Sequence, residues 1–410
     1  MRKVAILGSG AVLAAAVALT GVARAAPEQA GKRDHAVVVG HRGSPGQAPE
    51  ETLASYRNAV REGADVLEGD VQLTSDRQIV LLHDDTLART TNVEEVYPER
   101  EPWRVGQFTL AEIKSLDAGS WFDSRFKGQR VPTLKDLLSV AGARTGLSLE
   151  LKSPANSPGV ATLLAQELNA AKLTDGRTLP VGRLPGAGPL TGPGGAQGVP
   201  RVRAQGAALL PDRREDARRR RAGRPERLDG GVYAHPRATS AADVGRAHRR
   251  GLKVISDPVD GPAEVSMAAN QGYDWVTTNF AAAARRILAG RKPFPAATGV
   301  VVDSVFPNPS GDDVQPENSE HVVLRNTTSR PIDVSGGYLR DQGSNLMRIG
   351  AGYVIPPGSL LRVHVGPGTN RPDAYYNGLT AGFLNNTSGD TVSFFGAGHS
   401  LIDIYSYLVP

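Results

Sequence analysis

Short apolar runs alternate with helix-like patterns over residues 35–174, and the same alternation returns after residue 230. The predicted strands are Ala36–Gly40, Val66–Leu73, Ile79–His83, Leu147–Lys152, Leu252–Ser256 and Trp275–Thr278. Apolar residues at helical spacing predict helices between them, for example at Thr52–Glu62. Strands that alternate with helices indicate a parallel sheet. Because the span 36–290 is close to the ~250 residues of a (β/α)8 barrel, the predicted fold class is α/β of the TIM type.

Only six strands are predicted, so the two that a barrel still needs would have to lie within residues 176–230. This segment holds 11 Gly, 7 Pro and 12 Arg, with no aromatic residue and no Ile. Such a composition favours disorder over a packed core. Two explanations stay open for this anomalous middle of the barrel. One is a local shift of reading frame in a G/C-rich gene, restored near Gly231, and the other is a genuine flexible insertion.

The same segment carries the positive charge of the chain. The formal net charge is +5, but 176–230 has a surplus of seven positive charges, which leaves the remainder at −2. The basic balance therefore belongs to one segment and does not indicate a nucleic-acid-binding surface. The chain has no Cys, which excludes disulfides and thiol chemistry.

The N-terminus has the pattern of a secretory signal peptide. A basic start at Met1-Arg2-Lys3 precedes a mostly apolar stretch, Val4–Val22, and a small-x-small cleavage site at Ala23-Arg24-Ala25. This pattern predicts that residues 1–25 are removed and that the mature chain is secreted and extracellular. The alternative is a retained membrane anchor. No other segment approaches the ~18 apolar residues of a membrane span.

The C-terminal part has a different character. Residues 291–298 are predicted to be a linker. From residue 299 to 410, short alternating strands separated by Gly, Pro and Asn turns predict a β-sandwich. The predicted strands are Val300–Val305, His321–Arg325, Gly337–Arg340, Leu360–Val365 and Thr391–Phe395.

Polar clusters follow the apolar strands of the first part. His41 and Arg42 come directly after the first strand, and His83 ends the third. In a parallel barrel the carboxyl ends of the strands form the active face. A His there can move a proton near neutral pH, and an Arg can fork onto phosphate oxygens. Asp84 either orients His83 or simply starts the following turn.

Three carboxylates lie at metal-ligand spacing on two of these strands. Glu68 and Asp70 are two residues apart, so both point to the same side of their strand. Glu150 can complete an oxygen-ligand set for Ca²⁺ or Mg²⁺. Lys152 points the same way as Glu150 and can reach a phosphate. Together with the two histidines, these groups suit metal-assisted acid/base cleavage of a phosphodiester.

At this point the chain resembles the glycerophosphodiester phosphodiesterases. The residues that carry the resemblance are Gly40-His41-Arg42-Gly43, Ala48-Pro49-Glu50-Glu51-Thr52-Leu53, Leu67-Glu68-Gly69-Asp70-Val71, Leu82-His83-Asp84, Arg89-Thr90-Thr91, Asp117-Ala118-Gly119-Ser120-Trp121-Phe122, Val131-Pro132-Thr133-Leu134 and Leu149-Glu150-Leu151-Lys152. The match is dense over 36–172 and loose over 231–290.

The resemblance implies a metal-dependent barrel that cleaves glycerophosphodiesters to glycerol 3-phosphate and an alcohol. It implies that a divalent cation is held by three carboxylates, that two histidines act as general base and general acid, and that two cations hold the phosphate. Carried over by position, these are Glu68, Asp70 and Glu150 for the metal, His41 and His83 for catalysis, and Arg42 and Lys152 for the phosphate. Ca²⁺ is favoured over Mg²⁺ because an extracellular site built only from oxygen suits it.

Three positions depart from the family pattern. Glu51 stands where the family usually has Asn, Asn279 stands where it usually has Asp, and Ser256-Asp257-Pro258 lies where a Trp is typical. These departures predict altered substrate contacts and rate rather than loss of the metal centre.

The C-terminal part resembles a bacterial lamin-tail domain. The matching residues are Val302-Asp303-Ser304-Val305-Phe306-Pro307-Asn308-Pro309, Glu320-His321-Val322-Val323-Leu324-Arg325-Asn326, Val334-Ser335-Gly336-Gly337-Tyr338, Ile355-Pro356-Pro357-Gly358, Asn385-Asn386-Thr387-Ser388-Gly389-Asp390-Thr391-Val392 and Asp403. The resemblance implies an immunoglobulin-like sandwich that serves as an accessory or attachment domain.

The expected function is therefore secreted, metal-dependent hydrolysis of small glycerophosphodiesters, with no nucleic-acid partner. One alternative is a related phosphodiesterase that acts on lysophospholipid or sphingomyelin, which would bring contact with membrane lipid or the cell surface. Another is a catalytically impaired extracellular binding protein, which gains weight if the anomalous middle keeps the barrel from closing.

Overall fold

The computed structural model describes residues 36–142, 144–171, 209–210, 227–228, 231–387 and 389–408. The predicted signal peptide lies outside the described residues, as does nearly all of 176–230. Within the described ranges, no helix combines the length and the apolar character that crossing a membrane requires. The barrel is taken below as the described part of 36–290, and the sandwich as that of 299–408. The predicted boundaries between them stay a prediction.

A nine-stranded sheet organises the barrel. Its strands are β1 Val37–Gly40, β2 Val66–Leu73, β3 Ile79–Leu81, β4 Gly146–Leu151, β5 Leu209–Leu210, β6 Arg227–Leu228, β7 Gly231–Ala234, β8 Lys253–Ser256 and β9 Trp275–Thr278. The order is β5-β4-β2-β1-β9-β8-β7-β6, and every neighbouring pair is parallel except β6 with β7. Among the described residues, no pairing joins β5 to β6 at the two ends of this path.

The pairing of β1 with β9 brings the two ends of the barrel sequence together. Val37 to Gly40 run in register with Trp275 to Thr278. The same strand β1 pairs with β2 on its other side. Residues just after β1 and just after β9 are therefore neighbours, although more than 230 positions separate them in sequence.

One predicted strand has a different role from the one expected. Strand β3 is antiparallel to β2 and lies off the parallel path. The reason is the connection 74–78, which is too short for a parallel crossover and instead closes a hairpin. Thr74 secures this turn, since its side-chain oxygen accepts from the backbone N–H of Gln78 at 2.8 Å. His83 consequently lies two residues beyond the strand, not at its end.

Helices cover the sheet between strands. They are α1 Leu53–Arg61, α2 Val93–Val96, α3 Leu110–Ser115, α4 Leu134–Ala141, α5 Val160–Ala170, α6 Ala241–His248, α7 Pro262–Gln271 and α8 Ala281–Leu288. Local sequence sets their starts. Thr133 and Asp136 form a capping box on α4, as Ser240 and Asp243 do on α6. The excursion between β3 and β4 has its own apolar core, with Phe108, Ile113 and Leu116 fully buried.

The sandwich has two four-stranded sheets around one core. Their strands are β10 Val300–Phe306, β11 His321–Asn326, β16 Leu360–His364 and β17 Ala374–Tyr376 in one, and β13 Tyr338–Arg340, β14 Leu346–Arg348, β18 Asp390–Phe395 and β19 Leu401–Tyr407 in the other. A short pair, β12 Ile332–Asp333 with β15 Val354–Ile355, lies beside them. Val322, Leu324 and Leu361 from the first sheet face Val392 and Phe394 from the second. The predicted α/β fold of the barrel type, followed by an immunoglobulin-like β-sandwich, is confirmed; within the sandwich, β16 and β17 pair in parallel.

Candidate active site

His41 lies where β1 meets β9. Its backbone N–H donates to Thr278 O at 3.0 Å, which continues the β1–β9 ladder by one residue. Its ring Nδ1 lies 2.8 Å from Asn279 Oδ1, and the imidazole is 7% exposed. Asn279 lies near the C-terminal end of the barrel sequence. In the sequence it stood out only as a departure from the family pattern.

Asp260 fixes the orientation of the Asn279 side chain. The Asn279 Nδ2 donates to Asp260 Oδ2 at 2.7 Å, and its backbone N–H donates to Asp260 Oδ1 at 2.7 Å. The amide oxygen must then face His41, so the His41 Nδ1 carries the proton of that hydrogen bond. Nε2 is consequently the nitrogen of His41 that can take up a proton. Burial raises the pKa of Asp260 to about 6, even though three hydrogen bonds lower it. No sequence motif singled out Asp260.

Arg42 links the first strand to the carboxylates of the second. It adopts the left-handed conformation at φ +47°, and its backbone N–H donates to Glu68 Oε2 at 2.7 Å. Its guanidinium donates to Glu50 Oε1 at 3.0 Å, and its Nε lies 3.4 Å from Asp70 Oδ2. Gly43 follows at φ +89°, a conformation that favours glycine. The turn Gly40–Gly43 thus aims a fixed positive charge at the site.

The three predicted metal ligands come together. One carboxylate oxygen from each of Glu68, Asp70 and Glu150 lies within 4.8 Å of the others, and all three side chains are buried. Strand register explains the meeting, because β2 and β4 are parallel with Asp70 opposite Glu150. Both oxygens of Asp70 are buried, and among the described residues they have ion-pair contacts at 3.4 Å with Arg42 and Lys152 but accept no hydrogen bond. Buried carboxylates short of donors fit a hard cation that prefers oxygen ligands.

Burial by itself would raise the pKa of Asp70, yet positive charge around it holds that pKa well below the usual range. The groups that lower it are Lys152, His83, Arg42 and His41. Both predicted catalytic imidazoles and both predicted phosphate-binding cations therefore lie close to one carboxylate. The sequence-predicted residues converge on a single site.

The Lys152 side chain is buried and contacts two of the predicted metal ligands. Its Nζ donates to Glu150 Oε1 at 2.6 Å and lies 3.4 Å from Asp70 Oδ1. The side chain is only 5% exposed. A buried ammonium between two carboxylates reduces their mutual repulsion. Its predicted phosphate contact stays a prediction.

His83 belongs to a charged network that sequence reasoning saw only in part. Its Nδ1 lies 2.7 Å from Asp84 Oδ1, so Asp84 orients the ring and does not merely start a turn. Arg89 donates to Asp84 Oδ2 at 2.7 Å and forks onto both oxygens of Glu50. The pKa of His83 is lowered, chiefly by burial and also by Arg42, while Asp84 acts in the opposite direction.

Glu50 joins the two sides of the site. It accepts from Arg42 on one side and from Arg89 on the other. Burial would raise its pKa, but the two guanidinium groups lower the pKa to about 2. Its motif matched the family, but only the structure reveals that it ties the His41 side of the site to the His83 side.

Glu51 is a fourth carboxylate beside the predicted metal ligands. It adopts φ +56°, its Oε1 accepts from the Asp70 backbone N–H at 2.9 Å, and its Oε2 accepts from the Tyr56 hydroxyl. Burial, Asp70 and Glu68 raise its pKa well above the usual value. Gly69 leaves the room for this arrangement, because a Cβ there would lie 2.6 Å from the Tyr56 hydroxyl oxygen.

Two family comparisons agree with this geometry. Residues 41–177 match the Glycerophosphoryl diester phosphodiesterase family, and residues 293–408 match the Lamin Tail Domain. Both resemblances seen in the sequence are confirmed. The first match contains every sequence-predicted site residue, from His41 to Lys152.

Curated relatives match about a third of the chain. The putative glycerophosphodiester phosphodiesterase YhdW of Bacillus subtilis (strain 168) is 44% identical over 131 residues, which are 32% of this chain and 51% of that protein. A glycerophosphodiester phosphodiesterase of the same organism is 38% identical over 148 residues, which are 34% and 48%. The chain thus spans about half the length of the curated relatives it matches.

Solved structures are similar over about three fifths of the chain. A phosphodiesterase of Oleispira antarctica, in complex with the product sn-glycerol-3-phosphate, is 22% identical with a TM-score of 0.43, covering 62% of this chain and 98% of that chain. A glycerophosphodiester phosphodiesterase of Agrobacterium tumefaciens str. C58 is 23% identical with a TM-score of 0.41, covering 62% and 99%.

Proposed function

We propose that the chain is a secreted, metal-dependent hydrolase that cleaves glycerophosphodiesters to glycerol 3-phosphate and an alcohol. The observation that carries this proposal is the convergence of two imidazoles, two cations and three buried carboxylates at one edge of the sheet. The names of the Bacillus subtilis relatives support the choice of substrate class. Secretion rests on the N-terminal sequence pattern alone.

The predicted metal ligands define what a cation would contribute. Glu68, Asp70 and Glu150 would hold it, and it would offset the negative charge that builds up on the phosphate during cleavage. All three donors are carboxylates, and the site offers no nitrogen or sulfur ligand among these residues. We therefore favour Ca²⁺ over Mg²⁺, since Ca²⁺ accepts flexible all-oxygen sites more readily.

His41 is the proposed general base. A water molecule, or a hydroxyl of the substrate's glycerol, gives its proton to His41 Nε2 while its oxygen attacks phosphorus. The Asn279 amide holds Nδ1 as the protonated nitrogen, so Nε2 has a lone pair for this step. Because Asn279 is neutral, it stabilises the doubly protonated form of the His41 ring less than a carboxylate would.

His83 is the proposed general acid. The bond from phosphorus to the alcohol oxygen breaks while His83 gives its proton to that oxygen. Asp84 lies against the other side of the ring and stabilises the protonated form. Arg42, whose Nε lies 3.4 Å from Asp70 Oδ2, would hold phosphate oxygens as the negative charge on those oxygens grows. When a substrate hydroxyl is the nucleophile, water then opens the resulting cyclic phosphate with the two histidines in exchanged roles.

A product assay on the purified chain tests this function. Glycerol 3-phosphate is measured after incubation with glycerophosphocholine in Ca²⁺, in Mg²⁺ and in chelator. We expect turnover with a cation and a loss of at least ~100-fold in His41→Ala and in His83→Ala, the typical range for a lost acid or base. His321→Ala is the matched control, because His321 is a partly buried histidine of the sandwich. No turnover with either cation would favour a binding protein instead.

The same assay separates the substrate classes. Lysophosphatidylcholine and sphingomyelin are offered beside glycerophosphocholine at equal concentration. We expect the water-soluble glycerophosphodiester to have the highest kcat/KM. A preference for either lipid would place the chain with the related phosphodiesterases and would imply membrane contact.

Expression of the full sequence in a bacterial host tests secretion. N-terminal sequencing of the exported protein should begin just after the Ala23-Arg24-Ala25 site. Recovery of uncleaved protein in the membrane fraction would instead indicate a retained anchor.

A further inference from the structure

One arginine of the sandwich is buried against the barrel. Arg340, on β13, is only 2% exposed, and its Nη2 donates to the backbone oxygen of Phe122 at 2.9 Å. The guanidinium carbon lies 3.8 Å from the centre of the Phe122 ring. The Arg340 Nη2 lies 3.9 Å from Asp123 Oδ2. Its Nη1 donates to Ser344 O within the sandwich at 3.0 Å. Arg340 therefore joins the two parts by a hydrogen bond, an ion pair and a stacked ring at once.

The loop that Arg340 holds leads to the His83 side of the site. Trp121 packs edge-on against Phe122, with ring centres 5.7 Å apart. Trp121 also contacts the guanidinium of Arg89, which lies 5.8 Å from the indole centre. Arg89 in turn holds Asp84, which orients His83. A continuous chain of contacts thus runs from Arg340 to a predicted catalytic histidine.

A second contact leads from the sandwich to the His41 side. Phe280, directly after Asn279, packs with Phe395 of β18 at a ring-centre distance of 6.5 Å. Both belong to a buried apolar cluster shared between the two parts, made of Phe280, Ala283, Phe294, Tyr338, Phe395 and Ile404. A small cavity beside it is lined by Asn279 and Asp260 from the barrel and by Asp341 and Gln342 from the sandwich. The sandwich therefore packs directly behind the residue that orients His41.

We infer that the sandwich is a structural part of the active site, in which Arg340 acts as a positioning residue that holds the Phe122 loop and, through Trp121 and Arg89, the His83 side of the catalytic pair. The kinetic consequence of this inference rests on the proposed function. Its structural consequence rests on the interface contacts alone. It gives the sandwich a role beyond that of an attachment domain. This face of the sandwich packs against the barrel of the same chain.

The position of the tryptophans offers a test that needs no turnover. All three, Trp103, Trp121 and Trp275, lie in the barrel, so tryptophan fluorescence of the full chain reports on the barrel only. In Arg340→Met we expect faster acrylamide quenching than in the unaltered chain, because the half-buried Trp121 loses its support. Arg325→Met is the matched control, since Arg325 is a more exposed arginine of the sandwich whose guanidinium pairs with Asp303 of the same sandwich. Unchanged quenching in Arg340→Met would overturn the inference.

Kinetics then separate positioning from a general loss of folding. We expect Arg340→Met to lower kcat by about 10-fold or more with a smaller change in KM, because a misplacement of ~1 Å costs up to about 100-fold. Arg340→Lys keeps the charge and a donor and should recover part of kcat. Near-UV circular dichroism and thermal unfolding of each variant establish that the chain is folded before rates are compared.

A double-mutant cycle locates the effect at the interface. Phe122→Leu changes the partner of Arg340 from the barrel side without touching the sandwich. If the two residues act through their contact, the double variant is less impaired in kcat and in unfolding than the product of the single effects. Independent, multiplicative effects would contradict the inference. An inactive wild-type chain with altered quenching in Arg340→Met would count against the proposed function but leave the interdomain coupling supported.

Discussion

The Nδ1 of His41 lies 2.8 Å from the Oδ1 of Asn279, a residue 238 positions further along the chain. The contact exists because β1 and β9 are neighbouring parallel strands, and each ends beside the other. Asp260 sets which end of the Asn279 amide faces the imidazole. A neutral amide therefore selects the tautomer of the proposed base.

Replacing Asn279 should impair the proposed base without removing it. In Asn279→Ala, His41 loses the partner that fixes its tautomer, so we expect kcat to fall by roughly 10-fold to 100-fold, less than for loss of the histidine itself. KM should change little, because Asn279 is not among the predicted phosphate ligands. Steady-state kinetics on glycerophosphocholine measure both. Asn58→Ala, an α1 residue whose side chain contacts Ser44 and Glu62, serves as the amide control. A variant with wild-type kcat would exclude the orienting role.

The carboxylate triad predicts stabilisation by a divalent cation. A ligand that binds only the folded chain raises its unfolding free energy by about 2.7 kcal/mol at one hundred times the dissociation constant. We expect Tm to rise on adding Ca²⁺, less on adding Mg²⁺, and not at all in Asp70→Asn. Differential scanning calorimetry gives these shifts. Asp373→Asn is the control, because Asp373 is 64% exposed and lies in the sandwich. An equal cation response in Asp70→Asn would refute the triad as the binding site.

Residue 69 should have to be glycine, because any Cβ there would clash with the Tyr56 side chain. In Gly69→Ala the new Cβ would lie 2.6 Å from the Tyr56 hydroxyl oxygen, so we expect a loss of about 1–3 kcal/mol in unfolding free energy, the usual cost of overpacking. Tyr56→Phe removes that oxygen and should make the same Gly69→Ala change less costly. Urea unfolding of the four chains of this cycle measures the difference. Equal costs in both backgrounds would show that the clash is not the cause.

The sandwich contains a carboxyl group whose titration should be visible in its stability. Burial raises the pKa of Glu320 to about 7, with Asp313 and Asp390 adding to the rise and backbone N–H donors from Phe383 and Leu384 opposing it. A raised pKa means that the stability contribution is fully present below the ordinary value of 4.5. It is lost as pH rises through about 7.

Unfolding of the full chain between pH 4.5 and pH 8 tests this sign. We expect a decrease on the order of 2–3 kcal/mol over that window from this group, since one pKa unit corresponds to ~1.4 kcal/mol. Glu320→Gln keeps an acceptor for the backbone donors and should remove this group's share of the decrease, leaving the share of Asp260 and Asp341, whose pKa values are also raised. Glu317→Gln is the control, because hydrogen bonds from Thr369 lower the pKa of that exposed group instead. A profile unchanged by Glu320→Gln would contradict the assignment.

Much of the fold was predictable because it depends on local pattern. Apolar periodicity placed β1, β2, β4, β8 and β9 and helix α1 to within one or two residues, whereas α2 and α3 were not predicted. Capping residues such as Thr133 and Ser240 fixed helix starts in ways that depend only on their immediate neighbours. The hairpin of β2 with β3 was missed, although the short connection 74–78 carried the signal for it.

The site was predictable to the extent that its residues follow strands. Side chains two apart on one strand share a face, so the pairing of Glu68 with Asp70 needed no structure. The roles of Glu50 and Arg89 were not predictable, because their hydrogen bonds join turns whose relative placement depends on packing. Asp84 could not be decided from sequence for the same reason.

By itself, the sequence determined which chemical groups stand at the strand ends and which short-range patterns form strands, helices and turns, because those depend on neighbours within a few residues. Only the tertiary structure decided that Asn279 faces His41 and that Arg340 of the sandwich meets Phe122 of the barrel. Those contacts join residues more than 200 positions apart. Strand order and interface packing bring them together, and no local periodicity encodes either.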